Sequence, residues 1–187
     1  MKNQKNQVRI IGGLWRGQKI DFYDSPGLRP TPDRVKETLF NWLSFHIADA
    51  NCLDLFTGSG ALGLEALSRG AKHVTFVDSQ YLTIQKIRDF TEKHDVSHAH
   101  FVHGTVPKLS LDVMHSFDIV FIDPPYKQGL VNVSISWLEH HRYLSHDAYV
   151  YVERAVDDEP LRLPRNWAVL KEQTAGQVNY LLIKRSQ

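Results

Sequence analysis

Three features of this 187-residue sequence predict an α/β fold with a seven-stranded, mostly parallel sheet covered by helices on both faces. From residue 51 onward, apolar strand-like segments alternate with amphipathic helix-like segments. The strand-like segments are almost continuously apolar, as expected for strands buried on both faces. The last two flank a short turn, so the sheet is expected to close with an antiparallel hairpin.

The elements follow in order. Residues 8–11 and 18–22 read as two short strands joined around Gly12-Gly13. A loop with Pro26, Gly27 and Pro30 follows. Thr31 reads as an N-cap, with Pro32 at the first helical position. Val35, Leu39, Leu43 and Ile47 recur every four residues, which predicts an amphipathic helix from 32 to about 46. Strands are then predicted at 51–56, 73–77, 99–103, 117–122 and 148–153, and helices at 62–69, 82–93 and 131–140. The stretch 154–165 is too short and broken for a full crossover helix. Residues 167–173 and 178–184 flank Thr174-Ala175-Gly176-Gln177 as the closing hairpin. The organisation expected is a basic hairpin extension and loop at 1–30, then one domain at 31–187.

Composition bounds the function. With 42% hydrophobic and 23% charged residues, the chain has enough apolar material to fold as an ordinary globular protein. Its single cysteine, Cys52, excludes an internal disulfide framework and a multi-cysteine zinc site. Cys52 lies in an apolar stretch and reads as a buried, inert thiol. Residues 1–7 are polar and show no apolar signal core, and no apolar run approaches a membrane span. A soluble cytoplasmic protein with no membrane partner is expected. The net charge of +1 hides an asymmetry, because residues 1–20 hold five cations and no acid. A basic front on a near-neutral body suggests a polyanion that docks at one place.

In parallel α/β sheets, ligands bind beyond the carboxyl ends of the strands, near the point where strand order reverses. Two motifs fall there. The first is Asp54-Leu55-Phe56-Thr57-Gly58-Ser59-Gly60. Gly58 and Gly60 permit a tight turn and close approach of a ligand to the backbone, and the helix that follows presents free N–H groups. Asp78 ends the next strand, where its carboxylate can accept both hydroxyls of a ribose, with Ser79 beside it. Gly58, Gly60 and Gly63 also satisfy a dinucleotide pattern. These residues alone therefore leave a nicotinamide dinucleotide and S-adenosylmethionine both open.

The second motif, Asp123-Pro124-Pro125-Tyr126, follows the apolar strand 117–122. The two prolines fix the backbone and offer no competing N–H. The Asp123 carboxylate and the Pro124 carbonyl can then converge as two rigid acceptors. Two acceptors suit a planar NH₂ group such as a nucleobase exocyclic amine, whose lone pair is delocalised into the ring. Accepting both hydrogens raises the electron density on nitrogen as positive charge develops. Tyr126 offers a face on which a flipped-out base can stack.

Gly58-Ser59-Gly60, Asp78 and Asp123-Pro124-Pro125-Tyr126 together resemble the cofactor and catalytic motifs of class I, S-adenosylmethionine-dependent amino-methyltransferases, which have a Rossmann-like fold. The segments Arg9-Ile10-Ile11-Gly12-Gly13-Leu14-Trp15-Arg16-Gly17 and Arg29-Pro30-Thr31-Pro32-Asp33-Arg34-Val35-Lys36-Glu37 narrow the resemblance. So do Leu62-Gly63-Leu64-Glu65-Ala66-Leu67 and Ala175-Gly176-Gln177-Val178. Over essentially the whole chain they resemble the ribosomal RNA small subunit methyltransferase D family.

The resemblance implies methyl transfer from S-adenosylmethionine to the N2 amine of guanine 966 in 16S rRNA, in a small ribosomal subunit or assembly intermediate, by a monomer. It assigns Asp123, Pro124, Pro125 and Tyr126 to catalysis. It assigns Asp54, Phe56, Thr57, Gly58, Ser59, Gly60, Asp78, Ser79, Gly104, Thr105 and Asp123 to the cofactor. Where many class I enzymes carry an acid after the third strand, this chain has His103-Gly104-Thr105, so adenine contact falls to backbone groups. The tetrad is also similar to that of adenine-N6 and cytosine-N4 methyltransferases, and the glycines to those of NAD-dependent oxidoreductases; these stand as the alternatives.

Arg9, Trp15, Arg16 and Lys19 of the basic hairpin, with Arg29 and Arg34, are the expected RNA contacts, Trp15 stacking on a base if exposed. Arg34 can equally pair with Glu37. Glu153 and Gln177 are candidates for the border of the base pocket. The ten histidines are not expected to form a metal site.

Overall fold

The computed structural model describes residues 6–22 and 31–186. The N-terminal hairpin pairs β1 (Asn6–Arg9) with β2 (Lys19–Phe22), and α1 (Asp33–Trp42) follows. The body then runs β3 (Asn51–Asp54), α2 (Ala61–Ser68), β4 (His73–Asp78), α3 (Tyr81–Lys93), β5 (Ala99–His103), β6 (Phe117–Ile122), α4 (Leu130–His140), β7 (Leu144–Ala155), β8 (Trp167–Ala175) and β9 (Val178–Arg185).

Seven of these strands form one sheet in the order β5-β4-β3-β6-β7-β9-β8. β5 to β7 are mutually parallel, whereas β9 runs antiparallel to both β7 and β8. The chain works outward from β3 through β4 to β5, then returns to place β6 on the other side of β3. That reversal opens a crevice beyond the carboxyl ends of β3 and β6.

The inner strands of the sheet feed two cores with a period of two. Along β6, Ile119 and Phe121 join the cluster under α1, α2 and α3, while Val120 and Ile122 join the cluster under α4. Cys52 is a fully buried free thiol, and burial pushes its pKa far up, as its apolar setting predicts. No helix is formed among residues 156–166, so the sheet passes directly into its closing hairpin, as anticipated.

The N-terminal hairpin shares the first core, through Val8, Ile10, Trp15 and Ile20. Its turn closes the C-terminal end of α2. Leu14 N–H donates to the Ser68 carbonyl at 2.7 Å, Trp15 N–H donates to Ser68 Oγ at 2.9 Å, and Ser68 Oγ–H donates to the Gly12 carbonyl at 2.6 Å. Only glycine fits at Gly13. Its φ is +73°, and a Cβ there would stand 1.8 Å from the Ser68 carbonyl oxygen. The buried Glu65 carboxylate accepts Ile11 N–H at 2.8 Å and Arg69 Nε–H at 2.7 Å.

Four local expectations are corrected. Helix α1 begins one residue later than predicted, after Pro32 with φ −57° and ψ 146°. Thr31 gives no side-chain cap to that helix, because its hydroxyl is engaged by Asp123. The helix also ends at Trp42; Leu43 and Ile47 keep their buried repeat, but in turns. Trp15 is buried, not exposed: its indole packs edge-on against Phe90 at 5.5 Å and tilted on His94 at 5.3 Å. It has no free face for a base.

Candidate active site

The crevice holds a cavity of about 360 Å³, within the range of small-molecule sites. Phe56, Gly58, Asp78, Ser79, Gly104, Thr105, Asp123, Pro124, Pro125 and Tyr126 all line it. The two motifs, far apart in sequence, are therefore walls of one chamber. Leu55, Gln80, Thr83, Val106, Gln128 and Leu130 complete the lining. None of these six is among the sequence candidates: Leu55 sits inside the glycine-loop motif as an apolar residue, and the other five carry no motif.

The glycine-loop wall is held by backbone groups. Gly58 and Gly60 adopt φ of +51° and +78°, the left-handed conformation that glycine tolerates. Asp78 Oδ2 accepts Gly58 N–H and Oδ1 accepts Gln80 N–H, both at 2.8 Å. Each carboxylate oxygen keeps further acceptor capacity, so two ribose hydroxyls can still be received. Burial raises the Asp78 pKa, opposed by these N–H donors and by His103.

Asp54, Thr57, Ser59 and Gly60 do not line the cavity but build the turn that frames it. Asp54 Oδ2 accepts Gly63 N–H at 2.9 Å, and Thr57 Oγ–H donates to the Asp54 carbonyl at 3.2 Å. A Cβ at Gly63 would strike the Phe76 ring at 2.3 Å, which explains how closely α2 lies on the sheet. Burial pushes the Asp54 carboxyl up to about 7, the Asp78 charge adding to it and the Gly63 N–H opposing it.

The opposite wall is held by side chains. Asp123 stands just beyond the end of β6 and lines the cavity. Burial first, then the charges of Glu153 and Asp54, hold its carboxyl well above the usual range; a hydrogen bond from the Thr31 hydroxyl opposes them. Glu153 is buried on neighbouring β7. Its Oε1 accepts Tyr126 O–H at 2.9 Å and its Oε2 accepts Tyr151 O–H at 3.0 Å. Burial raises the Glu153 pKa, and both tyrosines oppose the rise. Beyond Tyr126, Lys127 N–H donates to Asp158 Oδ1 at 3.0 Å and its ammonium pairs with Asp157 at 2.7 Å, tying the corner to the segment after β7.

The expected RNA contacts fall outside this chamber. Arg16, Lys19 and Arg34 are exposed. Arg9 is exposed too, and pairs with Asp33 at 2.7 Å. The buried ammonium of Lys36 reaches the Arg9 carbonyl and Asp33. Arg29 lies outside the described residues. Among the described residues, no three His, Cys, Asp or Glu side chains are grouped to hold a metal ion. No helix there is long and apolar enough to cross a membrane.

A Rossmann-like sheet of this order, with a glycine turn and an acid on one side of the crevice and an Asp-Pro-Pro-Tyr corner on the other, defines a class I methyltransferase. Comparison with known proteins narrows the class. The family model described as "Conserved hypothetical protein 95" matches residues 8–184. The chain is 45% identical to the ribosomal RNA small subunit methyltransferase D of Escherichia coli K12 over 179 residues, which covers 96% of this chain and 90% of that protein. It is 45% identical to the protein of the same name from Haemophilus influenzae, covering 96% and 95%. A solved Escherichia coli structure, the candidate methyltransferase yhhF, superposes with a TM-score of 0.87 at 43% identity, covering 97% of this chain and 99% of that one. The chain belongs to the ribosomal RNA small subunit methyltransferase D family.

Proposed function

We propose that this protein transfers a methyl group from S-adenosylmethionine to the exocyclic N2 amine of guanine 966 in 16S rRNA. The observation that supports this reading is the shared cavity, lined by both Asp78 and Asp123, the carboxylates that this reading gives to the ribose and to the amine.

The residues present fit the cofactor. Asp78 faces the cavity with its orientation fixed by two N–H groups, suited to a ribose diol. The backbone at Gly104 and Thr105 lines the same wall and suits an adenine. The carboxylates of Asp78 and Asp123 favour a cation between them. Bound there, S-adenosylmethionine supplies a methyl group already activated by a positively charged sulfur.

The protein's own task is to make a poor nucleophile attack in line. Asp123 and the Pro124 carbonyl accept the two amine hydrogens, which fixes the nitrogen and pushes electron density onto it. Tyr126 stacks on the flipped guanine. Holding both reactants in this geometry supplies up to roughly 7–11 kcal/mol of the barrier reduction.

Substrate docking falls to the exposed cations of the hairpin and α1, namely Arg16, Lys19, Arg34 and Arg9, each adding a salt-dependent increment. A net charge of only +1 argues against tight binding to naked RNA, so a partly assembled small subunit is the expected substrate. The enzyme acts as a cytoplasmic monomer in this reading.

The test is transfer of labelled methyl to naked 16S rRNA, to assembled small subunits and to DNA, with the product nucleoside identified. N2-methylguanosine at position 966 is the expected product. N6-methyladenine or N4-methylcytosine would overturn the assignment in favour of the related amine chemistries.

A further inference from the structure

Glu153 is a carboxylate where stability alone does not call for one. It is 3% exposed and sits on the central strand β7. Burying a carboxylate is costly unless partners hold it. Here two phenolic hydroxyls do so, one on each oxygen, from Tyr126 at 2.9 Å and Tyr151 at 3.0 Å. Tyr151 belongs to the same strand and is itself buried, so it completes an acceptor that would otherwise be half satisfied. Tyr126 belongs to the corner that lines the cavity. The hydrogen bond from Tyr126 therefore joins the core of the sheet to the ring that faces the substrate.

The groups around Asp123 come from four directions. Thr31, ahead of α1, donates a hydrogen bond; Asp54 on β3 and Glu153 on β7 bring negative charge; Tyr126 and Tyr151 reach it through Glu153. Among the described residues, no cation is among the groups acting on Asp123. A carboxylate facing only like charges and hydroxyls is a stronger proton acceptor than one paired with Lys or Arg.

We propose that Glu153 is a positioning residue for methyl transfer. Its Oε1 anchors the Tyr126 ring as the stacking face, and its carboxylate, one step beyond the Ile122–Val152 pair of β6 and β7 and so beside Asp123, makes Asp123 the acceptor of the amine proton. This rests on reading the site as an amino-methyltransferase. The step balances. The amine nitrogen forms the new bond to the methyl carbon, and the electron pair of the broken carbon–sulfur bond stays on sulfur. The nitrogen, now positively charged, releases one proton to Asp123. A neutral methylated amine and a neutral carboxylic acid result, and the acid returns its proton to water as product leaves.

The test reads both halves. In the ligand-free protein, ¹³C NMR titration follows the Asp123 carboxyl. Glu153→Gln keeps the shape and an acceptor oxygen but removes the charge, so the Asp123 midpoint should fall by about one pH unit or more. The acid limb of the methyl-transfer rate should move down with it, while cofactor affinity holds. Tyr126→Phe keeps the ring and both charges but cuts the anchor. It should raise KM for the RNA substrate between about 2- and 10-fold, the equivalent of one hydrogen bond. An unmoved Asp123 midpoint in Glu153→Gln, or a native KM in Tyr126→Phe, overturns the role. If Glu153→Gln does not fold, the Tyr126→Phe result decides. Two patterns separate this proposal from the functional reading beneath it. Methyl transfer by the unaltered protein with an unmoved midpoint sinks the Glu153 role alone. A shifted midpoint in a protein that methylates no amine sinks the functional reading and leaves the carboxylate coupling standing.

Discussion

The two walls of the cavity solve the same problem in different ways. Both hold carboxylates out of bulk water. On the β3–β4 side, Asp54 and Asp78 are held by main-chain N–H groups of Gly63, Gly58 and Gln80. On the β6–β7 side, Asp123 and Glu153 are held by side-chain hydroxyls of Thr31, Tyr126 and Tyr151. A backbone donor is fixed by the turn that carries it, so the first wall is built for a rigid, repeatable fit to a cofactor. A hydroxyl rotates and can release its proton position, so the second wall suits a group whose charge changes during the reaction. In the proposed mechanism, binding and chemistry thereby fall to different donors.

That division makes its strongest forecast at Asp123. Asp123→Ala should cost roughly a hundredfold or more in methyl-transfer rate, while the cofactor dissociation constant measured by calorimetry rises far less, by about fivefold at most, through the lost charge beside the cation. In the unaltered enzyme the rate should fall as pH drops, because the acceptor must be ionised and its pKa lies above the ordinary range. A rate flat from pH 9 down to pH 5 would contradict this.

A smaller loss is expected on the other wall. Asp78→Ala should weaken cofactor binding by roughly 10- to 100-fold, the value of a hydrogen-bond pair to a charged acceptor. The rate at saturating cofactor should change little. Equal loss of rate and affinity in both variants would erase the distinction between the walls.

The last forecast concerns stability and leaves the reaction rate untouched. The Asp54 carboxyl is raised to about 7, so the folded protein holds that proton more tightly than the unfolded chain. The resulting stabilisation is complete below the ordinary carboxylate pKa. It is lost as pH rises from there through about 7, at roughly 1.4 kcal/mol per pH unit. Asp54→Asn cannot ionise and retains an acceptor for Gly63 N–H. Its melting temperature should therefore gain on the parent between pH 5 and pH 8. A constant difference across that range would show that Asp54 is ionised throughout.

The same contrast explains what is legible in the sequence. Backbone-held features leave motifs. Gly58, Gly60 and Asp78 are recognisable because a tight turn demands glycine and a strand end demands an acid at a fixed separation. The Asp-Pro-Pro-Tyr corner is legible for a similar reason, since two prolines fix the chain. The sheet shows itself through its continuous apolar strands, and the missing crossover helix through the broken stretch before Trp167.

Side-chain partnerships across long separations leave no such trace. Thr31 reads as a helix cap because Pro32 follows it, and only the packing of the segment before α1 brings its hydroxyl to Asp123. Glu153 stands out only as an acid near a strand end; nothing local reveals that Tyr126, 27 positions away, donates to it. Trp15 reads as a stacking residue, on condition of exposure, because its neighbours are basic. Burial against Phe90 and His94 depends on α3, which lies far along the chain.

Helix α2 gives the hairpin its mechanical meaning. The helix is eight residues long and buried along its whole length, so it acts as a strut of about 12 Å inside the molecule. One end abuts the turn at Gly60; the other is bolted to Gly12, Leu14 and Trp15. One buried helix therefore carries the outer hairpin at one end and the glycine turn that frames the cavity at the other.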